Sequence, residues 1–455
     1  MAQTILPFIL TEAKKRDPKL TAFAGLPLIS ETYRRLGLDR VVAQQLRLKE
    51  RGWAETTIVE ALVALQVAGG TCMDDVQWLA ADASRALYSP AGLPSPAAIR
   101  RFLHLFDEPT PTPRVPGTAV IPPEGPALAA LNAVHRHTIQ QMVAHRRPRW
   151  ITLDVDATVA WSEKQSCLGT YKGGTGYQPI QAIWAETQLI VAEEFRDGNV
   201  PAHTDALRFL QRCVANLPAG LPFCLRSDGA WYQWDVMDYC TPHQIPFAIS
   251  ADCSRGLMRF VHALPDSAWQ PLRTVTAQGV VPTGVEYAEL AFSTAGLAQH
   301  EIRQRMLGYR YLVIRTPATQ PDLFTGDYSY HAVCTNMNWQ AERLIWWHHE
   351  RSGTIEHVIA RLKHDYAGHT FPCGTFGANA AWWRLTCLAH NLVQCLKLLA
   401  LPATWFYCRL KTLRFRLFGL AGRVITHARR TGLQLARGHP AVPIYQHARQ
   451  RLATL

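Results

Sequence analysis

The 455-residue chain is long enough for roughly three domains of ~150 residues, so it needs no disulfide or metal to hold a core. Its composition is 48% hydrophobic and 18% charged, with no apolar run near ~18 residues, which excludes a membrane span and a wholly disordered chain. Lys plus Arg number 47 against 35 Asp plus Glu, a formal net charge of +12, and such a balance suits a polyanionic partner.

The short apolar stretch Ile5 to Leu10 is followed, not preceded, by Lys14, Lys15 and Arg16, the wrong order for a secretory signal. The 11 cysteines include no C-x-x-C pair, so reduced thiols in a cytoplasmic protein are expected, with no zinc finger and no membrane partner.

Residues 1–107 carry apolar residues at three and four spacing, as in Ile29, Tyr33 and Leu36, and then Ile58, Leu62 and Leu65. This predicts an N-terminal α-helical domain. Ser95 and Pro96 before Ile99, Phe102 and Leu103 open a further helix with a hydroxyl cap. Arg100 and Arg101 leave open whether that helix packs or meets DNA. Residues 108–126 (EPTPTPRVPGTAVIPPEGP) form a Pro-rich linker.

In 127–265 the period changes. Ile151, Leu153 and Val155 alternate with Thr152, Asp154 and Asp156, which puts both carboxylates on one face of a strand. A hairpin turn at Tyr171–Gly176 (YKGGTG) precedes strands Gln178–Trp184 and Leu189–Phe195, then a helix near Thr204–Val214. Strand Phe223–Asp228, a helix with Trp234 and Met237, and strand Ile245–Ile249 follow. Three strands, helix, strand, helix, strand is the order of an RNase H-like α/β core. Residues 266–339 read as a β-rich inserted sheet, 340–400 as the second, helical part of the core, and 401–455 as a basic helical C-terminal tail. Twelve Lys and Arg and no acidic residue follow Asp365, so that segment accounts for the whole charge excess. Nucleic acid is its expected partner, ahead of an anionic membrane surface or a merely solvated face.

Asp156 and Asp228 each end a core strand, and ligands bind at that edge of an open α/β sheet. A pair of divalent cations needs a third carboxylate, and Glu356 is the candidate. It is seven residues before Lys363, on nearly the same helical face. Gly353 and Thr354 suggest a helix start beside it, whose dipole would favour the ionised acid. His348, His349 and the pairs Trp346–Trp347 and Trp382–Trp383 read as core or DNA-facing rather than as metal ligands. The Lys172-Gly-Gly-Thr-Gly run lacks the spacing of a phosphate-binding loop.

Several ordered blocks carry a resemblance. They are Leu153-Asp-Val-Asp-Ala-Thr158, Tyr171-Lys-Gly-Gly-Thr-Gly-Tyr177, Arg196-Asp-Gly-Asn199, Arg226-Ser-Asp-Gly-Ala230, Glu350 to Lys363, Phe376 to Leu385 and Leu388 to Leu392. Together, over Pro148 to Pro402, they resemble bacterial insertion-sequence DDE transposases of the insertion-sequence thirteen-eighty family. The family's Tyr, two residues, Arg, three residues, Glu, six residues, Lys spacing keeps its Glu356 to Lys363 gap. Its Arg position holds Ser352 and its Tyr position His349, with Arg351 one place off.

The resemblance implies cut-and-paste transposition, with Mg²⁺-dependent cleavage at transposon ends and strand transfer into target DNA. Asp156, Asp228 and Glu356 would be catalytic and would hold two Mg²⁺, with Mn²⁺ able to substitute and Asp154 left open as a further ligand. Lys363, Arg351, Lys172, Arg414, Arg416, Arg429 and Arg430 are the DNA-binding candidates. Double-stranded DNA and a homodimer in a synaptic complex are the expected partners. A nuclease of the same fold that only hydrolyses, and a catalytically inactive DNA-binding derivative, are the alternatives.

Overall fold

The computed structural model describes residues 17–455 except 109–111, 115–116, 165, 277–278, 293–308, 323–325 and 429. A short strand, β1 (Leu20–Thr21), precedes helices α1 (Pro27–Arg35), α2 (Leu38–Gln45), α3 (Glu55–Ala68), α4 (Val76–Ala81), α5 (Arg85–Tyr88) and α6 (Pro96–His104). The Ser95 hydroxyl accepts the Ala98 amide at 3.3 Å and Pro96 takes the first helical position, so α6 opens as its sequence predicts. The proline-rich stretch leads to α7 (Pro126–Arg146) and is tied to the core through Arg114, Thr118 and Glu124, with Asn199 Nδ2 donating to the Thr118 carbonyl at 2.9 Å. Arg114 meets Asp197 at 2.8 Å, and Glu124 pairs with Arg212 at 2.6 Å and with Arg384.

Strand β2 (Ile151–Ala157) is the centre of the next region. The chain forms a small side sheet from β3 (Ala160–Trp161), β4 (Leu168–Gly169) and β5 (Thr175–Tyr177), then returns as β6 (Ile180–Trp184) and β7 (Leu189–Glu194). Helix α8 (Ala206–Asn216), β8 (Phe223–Ser227), α9 (Trp234–Cys240), β9 (Phe247–Ala251) and α10 (Arg255–His262) follow. Strands β7, β6 and β2 are antiparallel neighbours, while β2, β8 and β9 run parallel. Two crossovers that each contain a helix make the parallel pairs possible. All three parallel strands therefore end at one edge.

The strands expected as an inserted sheet are β10 (Gln270–Thr276), β11 (Gly279–Ala291), β12 (Arg310–Asp322) and β13 (Gly326–Thr335). They form no sheet of their own. Strand β13 pairs antiparallel with β9, Ala332 opposite Ala251, and the sheet grows to nine strands. The pairing covers the backbone edge that β9 would otherwise expose.

Two 24-residue helices close the region, α11 (Ala341–His364) and α12 (Phe376–Leu399). Helix α12 is buried on nearly every side, as its run of apolar residues requires. Its polar groups are matched to the strand and turn beneath it. Asn391 accepts the Ile190 amide at 2.8 Å and donates to the Ile190 carbonyl at 2.9 Å, and the His390 ring lies 2.9 Å from the Gln188 carbonyl.

The C-terminal segment departs from the helical tail that its charge suggested. After α13 (Leu410–Leu413) and a π-helical turn (Arg414–Phe418) come a hairpin, β14 (Gly422–His427) and β15 (Arg430–Leu435), and then α14 (Ala441–Ala453). The hairpin pairs with β1, Leu20 opposite Arg423, so the first and last described parts share one sheet. Val424 lies opposite Leu433, and Leu435 follows two residues on, a period of two that the arginine count hides. No single helix among the described residues is long and apolar enough to cross a membrane.

Candidate active site at the carboxyl edge of the parallel strands

Asp154 and Asp156 both project toward α11, as their two-residue spacing predicts. Asp154 is fully buried. Its Oδ1 accepts Arg226 Nε at 2.6 Å, and its Oδ2 accepts Arg226 Nη2 at 2.9 Å and Thr354 Oγ1 at 2.5 Å. The strand register sets this pair, because Asp154 lies directly opposite Arg226 on β8. The guanidinium also donates to the Trp347 carbonyl and sits 4.8 Å from the Trp347 ring centroid. With both oxygens occupied by protein donors, Asp154 is a strut that joins β2, β8 and α11.

Asp156, one pleat further along, has no such partner opposite it. Burial and the nearby Asp228 carboxylate push its pKa up to about 6, and Arg351 opposes them. Arg351 Nη1 reaches Asp156 Oδ2 at 3.2 Å, while Oδ1 accepts the Ala157 amide at 2.7 Å. Asp228 follows the last residue of β8 and caps a short turn, its Oδ1 accepting the Ala230 amide at 3.1 Å. The parallel pairing of β2 with β8 thus brings together two acids 72 positions apart in sequence.

Glu356 stands differently. Helix α11 runs unbroken through Gly353 and Thr354, so no helix begins beside Glu356 and the expected dipole effect does not apply there. Ile355, Val358 and Leu362 form the buried stripe of the helix, and Glu356 lies exposed on its flank. Among the described residues, no three His, Cys, Asp or Glu side chains stand close enough together to hold a metal ion. The donor chemistry at Asp156 and Asp228 nonetheless suits a hard divalent cation. Two neighbouring carboxylates, one of them resisting ionisation, gain from a positive charge between them.

Cations surround this edge. Lys363 Nζ donates to the Val159 carbonyl at 2.6 Å, just past the end of β2. Its pKa is lowered by burial and by Lys172, with Asp156 acting in the opposite sense. Lys172 is exposed on the turn between β4 and β5. Arg351, one place off the family spacing, is the residue that reaches Asp156.

The other DNA-binding candidates lie elsewhere. Arg414 donates to the carbonyls of Val67 at 2.7 Å and of Gln66 and Asp365 at 2.6 Å, so it clamps α3 to the C-terminal region. Arg416 and Arg430 are exposed, and Arg429 lies outside the described residues. Much of the remaining basic block is likewise engaged with the protein. Arg409 pairs with Asp365 at 2.7 Å, Arg423 with Asp17 at 3.1 Å, Arg449 with Glu31 at 3.2 Å, and Arg384 with Glu193.

Trp382 and Trp383 are fully buried core residues. His348 is buried with its Nε2 3.1 Å from the Ser227 carbonyl, and burial pushes its pKa down to about 3, so it docks α11 on β8 as a neutral ring. The sequence reading gives Arg226 and Thr354 no role in the site. Its one available signal for Arg226 was the Arg226-Ser-Asp228 run, which places a cation two residues before the second acid on the same strand face.

The chain is thus a mixed α/β protein, with a nine-stranded sheet and two acids at the ends of adjacent parallel strands. The sequence profile described as "Transposase DDE domain group 1" matches residues 12–455, and the chain belongs to that family. It is a DDE transposase, an enzyme whose partner is DNA and whose family is generally dependent on divalent metal. Among solved structures it is similar to a piggyBac transposase synaptic complex with hairpin DNA, at 9% identity and a TM-score of 0.42. The match covers 87% of this chain and 78% of that one. No curated protein matches the chain by sequence.

Proposed function

We propose that the chain cleaves DNA at transposon ends and joins the freed ends to target DNA, with Asp156 and Asp228 as the core of the active site and Glu356 as the third acid. One observation carries this reading. Asp156 and Asp228 end adjacent parallel strands, close enough for one carboxylate to raise the pKa of the other. The sheet order β7-β6-β2-β8-β9, with its first three strands in antiparallel succession, supports an RNase H-like core around them.

Asp156 and Asp228, completed by Glu356, would hold two Mg²⁺, or Mn²⁺ in their place. Bound there, such ions make a water or 3′-hydroxyl more acidic and neutralise charge on the leaving oxygen. The chain's own residues prepare the site. Asp154, Arg226 and Thr354 fix the spacing of β2, β8 and α11. Arg351 keeps Asp156 nearer ionisation than burial alone would allow, and gives it a partner before a cation arrives. Lys363, held at the end of β2, and Lys172 present positive charge to a DNA phosphate beside the acids. Assembly as a dimer on paired DNA ends belongs to the same proposal.

The test is Asp228→Asn and Glu356→Gln in a divalent-dependent cleavage assay on terminal DNA, with end binding measured in parallel. Both variants are expected to lose cleavage and to bind DNA as before. Cleavage retained by either removes that residue from the site. Strand transfer by the wild-type chain separates transposition from simple hydrolysis.

A further inference from the structure

Beside the acids, the small sheet β3-β5-β4 displays two aromatic rings that no core claims. Trp161 is 49% exposed and Tyr171 71% exposed, although large aromatic side chains usually bury most of their surface. They are not on a loose loop. Gly176 passes so close to β3 that an added Cβ would stand 2.4 Å from the Ala160 carbonyl, and a Cβ on Gly174, at φ +67°, would meet the Trp161 ring at 3.1 Å. Thr170 closes the turn through its amide to Gly174 and its hydroxyl to Gly173. At the inner end Tyr177 is fully buried against Phe195 and Phe371. The small sheet is therefore a fixed support, with the Trp161 ring against Gly174 and Tyr171 on the closed turn beside it, which lowers the entropy cost of using it.

Their position is specific. Trp161 lies five residues after Asp156, and Lys363 is bonded to Val159 between them. Lys172 sits 5.5 Å from the Tyr171 ring centroid, and its charge is felt at Lys363. Rings interleaved with cations are the composition that takes a nucleic acid strand, the rings on base faces and the cations on phosphates. In a duplex each base face is covered by its neighbour, so rings displayed this way can engage only bases that have left the stack.

We propose that this small sheet is a stacking platform for unpaired bases of the DNA strand held at Asp156 and Asp228, with Trp161 and Tyr171 supplying the rings and Lys172 and Lys363 the phosphate contacts. The proposal rests on the reading of the paired acids as the cleavage site. Trp161 and Tyr171 are positioning residues in it, since they touch bases next to the reacting phosphate and not the phosphate itself.

The experiment compares binding of the full chain, in EDTA so that nothing is cut, to a fully paired duplex and to the same duplex with a single-stranded flank that carries 2-aminopurine. Trp161→Leu and Tyr171→Ala are each expected to weaken binding of the flanked DNA by about 5- to 150-fold per stacked base and to abolish the fluorescence quench, with duplex affinity unchanged. Trp161→Phe, which keeps a ring, should retain most of both signals. The solvent-exposed Tyr171 makes its alanine variant independent of any loosening of the turn around Trp161. Unchanged affinity and quench for the flanked DNA, equal losses on both DNAs, or intact DNA binding with lost self-association would each overturn the platform. Failure of the acids is read separately. If Asp228→Asn still cleaves while the ring variants lose the quench, stacking of unpaired bases on the rings stands, and the placement of the cleaved strand at Asp228 falls.

Discussion

Asp154 and Asp156 leave the same strand face one pleat apart, and the molecule uses them in opposite ways. At the inner position the register supplies Arg226 directly opposite, Thr354 from α11 fills the remaining lone pair, and a buried charge is fully matched. At the outer position the strands end, the acid across the gap is Asp228, and Asp156 is held near a pKa of about 6, ionising only under protest from its neighbour. The difference is one of stability against reactivity. A satisfied carboxylate braces the sheet, and an unsatisfied one keeps an appetite for a cation.

The largest expected effect on this contrast is at the inner position. Asp154→Ala leaves the buried Arg226 with only the Trp347 carbonyl and the exposed Glu350, 3.6 Å away, as partners, which should cost about 3 kcal/mol, read as a lower urea midpoint at unchanged slope. Replacing both partners, as in Asp154→Leu with Arg226→Met, should recover most of that loss, because the penalty belongs to the stranded charge. A chain with Asp154→Ala that unfolds at the wild-type midpoint yet no longer cleaves would dissolve the distinction and move Asp154 into the active site.

How much of this could be read from the chain beforehand follows from how local each signal is. The alternation through Ile151, Leu153 and Val155 and the order of the next four core strands depend on neighbours within a few residues, and the observed strands fall where that spacing puts them. The Asp154–Arg226 pair depends on the register between strands 72 positions apart, which no local pattern encodes. The helix start expected at Gly353 failed for a different reason. A glycine costs a helix only about 1 kcal/mol, and the packing of Leu344 and Ile345 before the break point and of Ile355, Val358 and Leu362 after it overrides it. The basic block misled by its count. Charge composition cannot show that Arg384, Arg409, Arg414 and Arg423 meet carboxylates or carbonyls of the chain itself.

At the outer position the expected effect is smaller and opposite in sign. The folded chain binds a proton at Asp156 more tightly than the unfolded chain does, so ionising it costs stability. That cost is absent below pH 3.8, grows as the pH rises, and is complete above about pH 6. Asp156→Asn should therefore stabilise the metal-free protein by about 1–3 kcal/mol at pH 8, with the gain vanishing at acid pH, while cleavage is lost. Thermal melting at the two pH values in EDTA checks both signs. Equal melting temperatures for the variant and the wild type at pH 8 would show that Asp156 is as well satisfied as Asp154.

The smallest effect sharpens the comparison at Arg351, the group that keeps the outer position from being wholly unmatched. Its guanidinium favours the ionised form of Asp156 against burial and against Asp228. Removing it in Arg351→Ala should push the Asp156 pKa further up. Below that pKa the carboxyl is protonated and a poor cation ligand, so the acid limb of the cleavage profile should move to higher pH by a fraction of a unit. Arg351→Lys keeps the charge and should move the limb less than Arg351→Ala does. A contact to DNA phosphate alone predicts something else, a weaker apparent affinity at every pH with the limb in place. The two roles of Arg351 therefore separate in one experiment, a pH series of kcat and KM on terminal DNA.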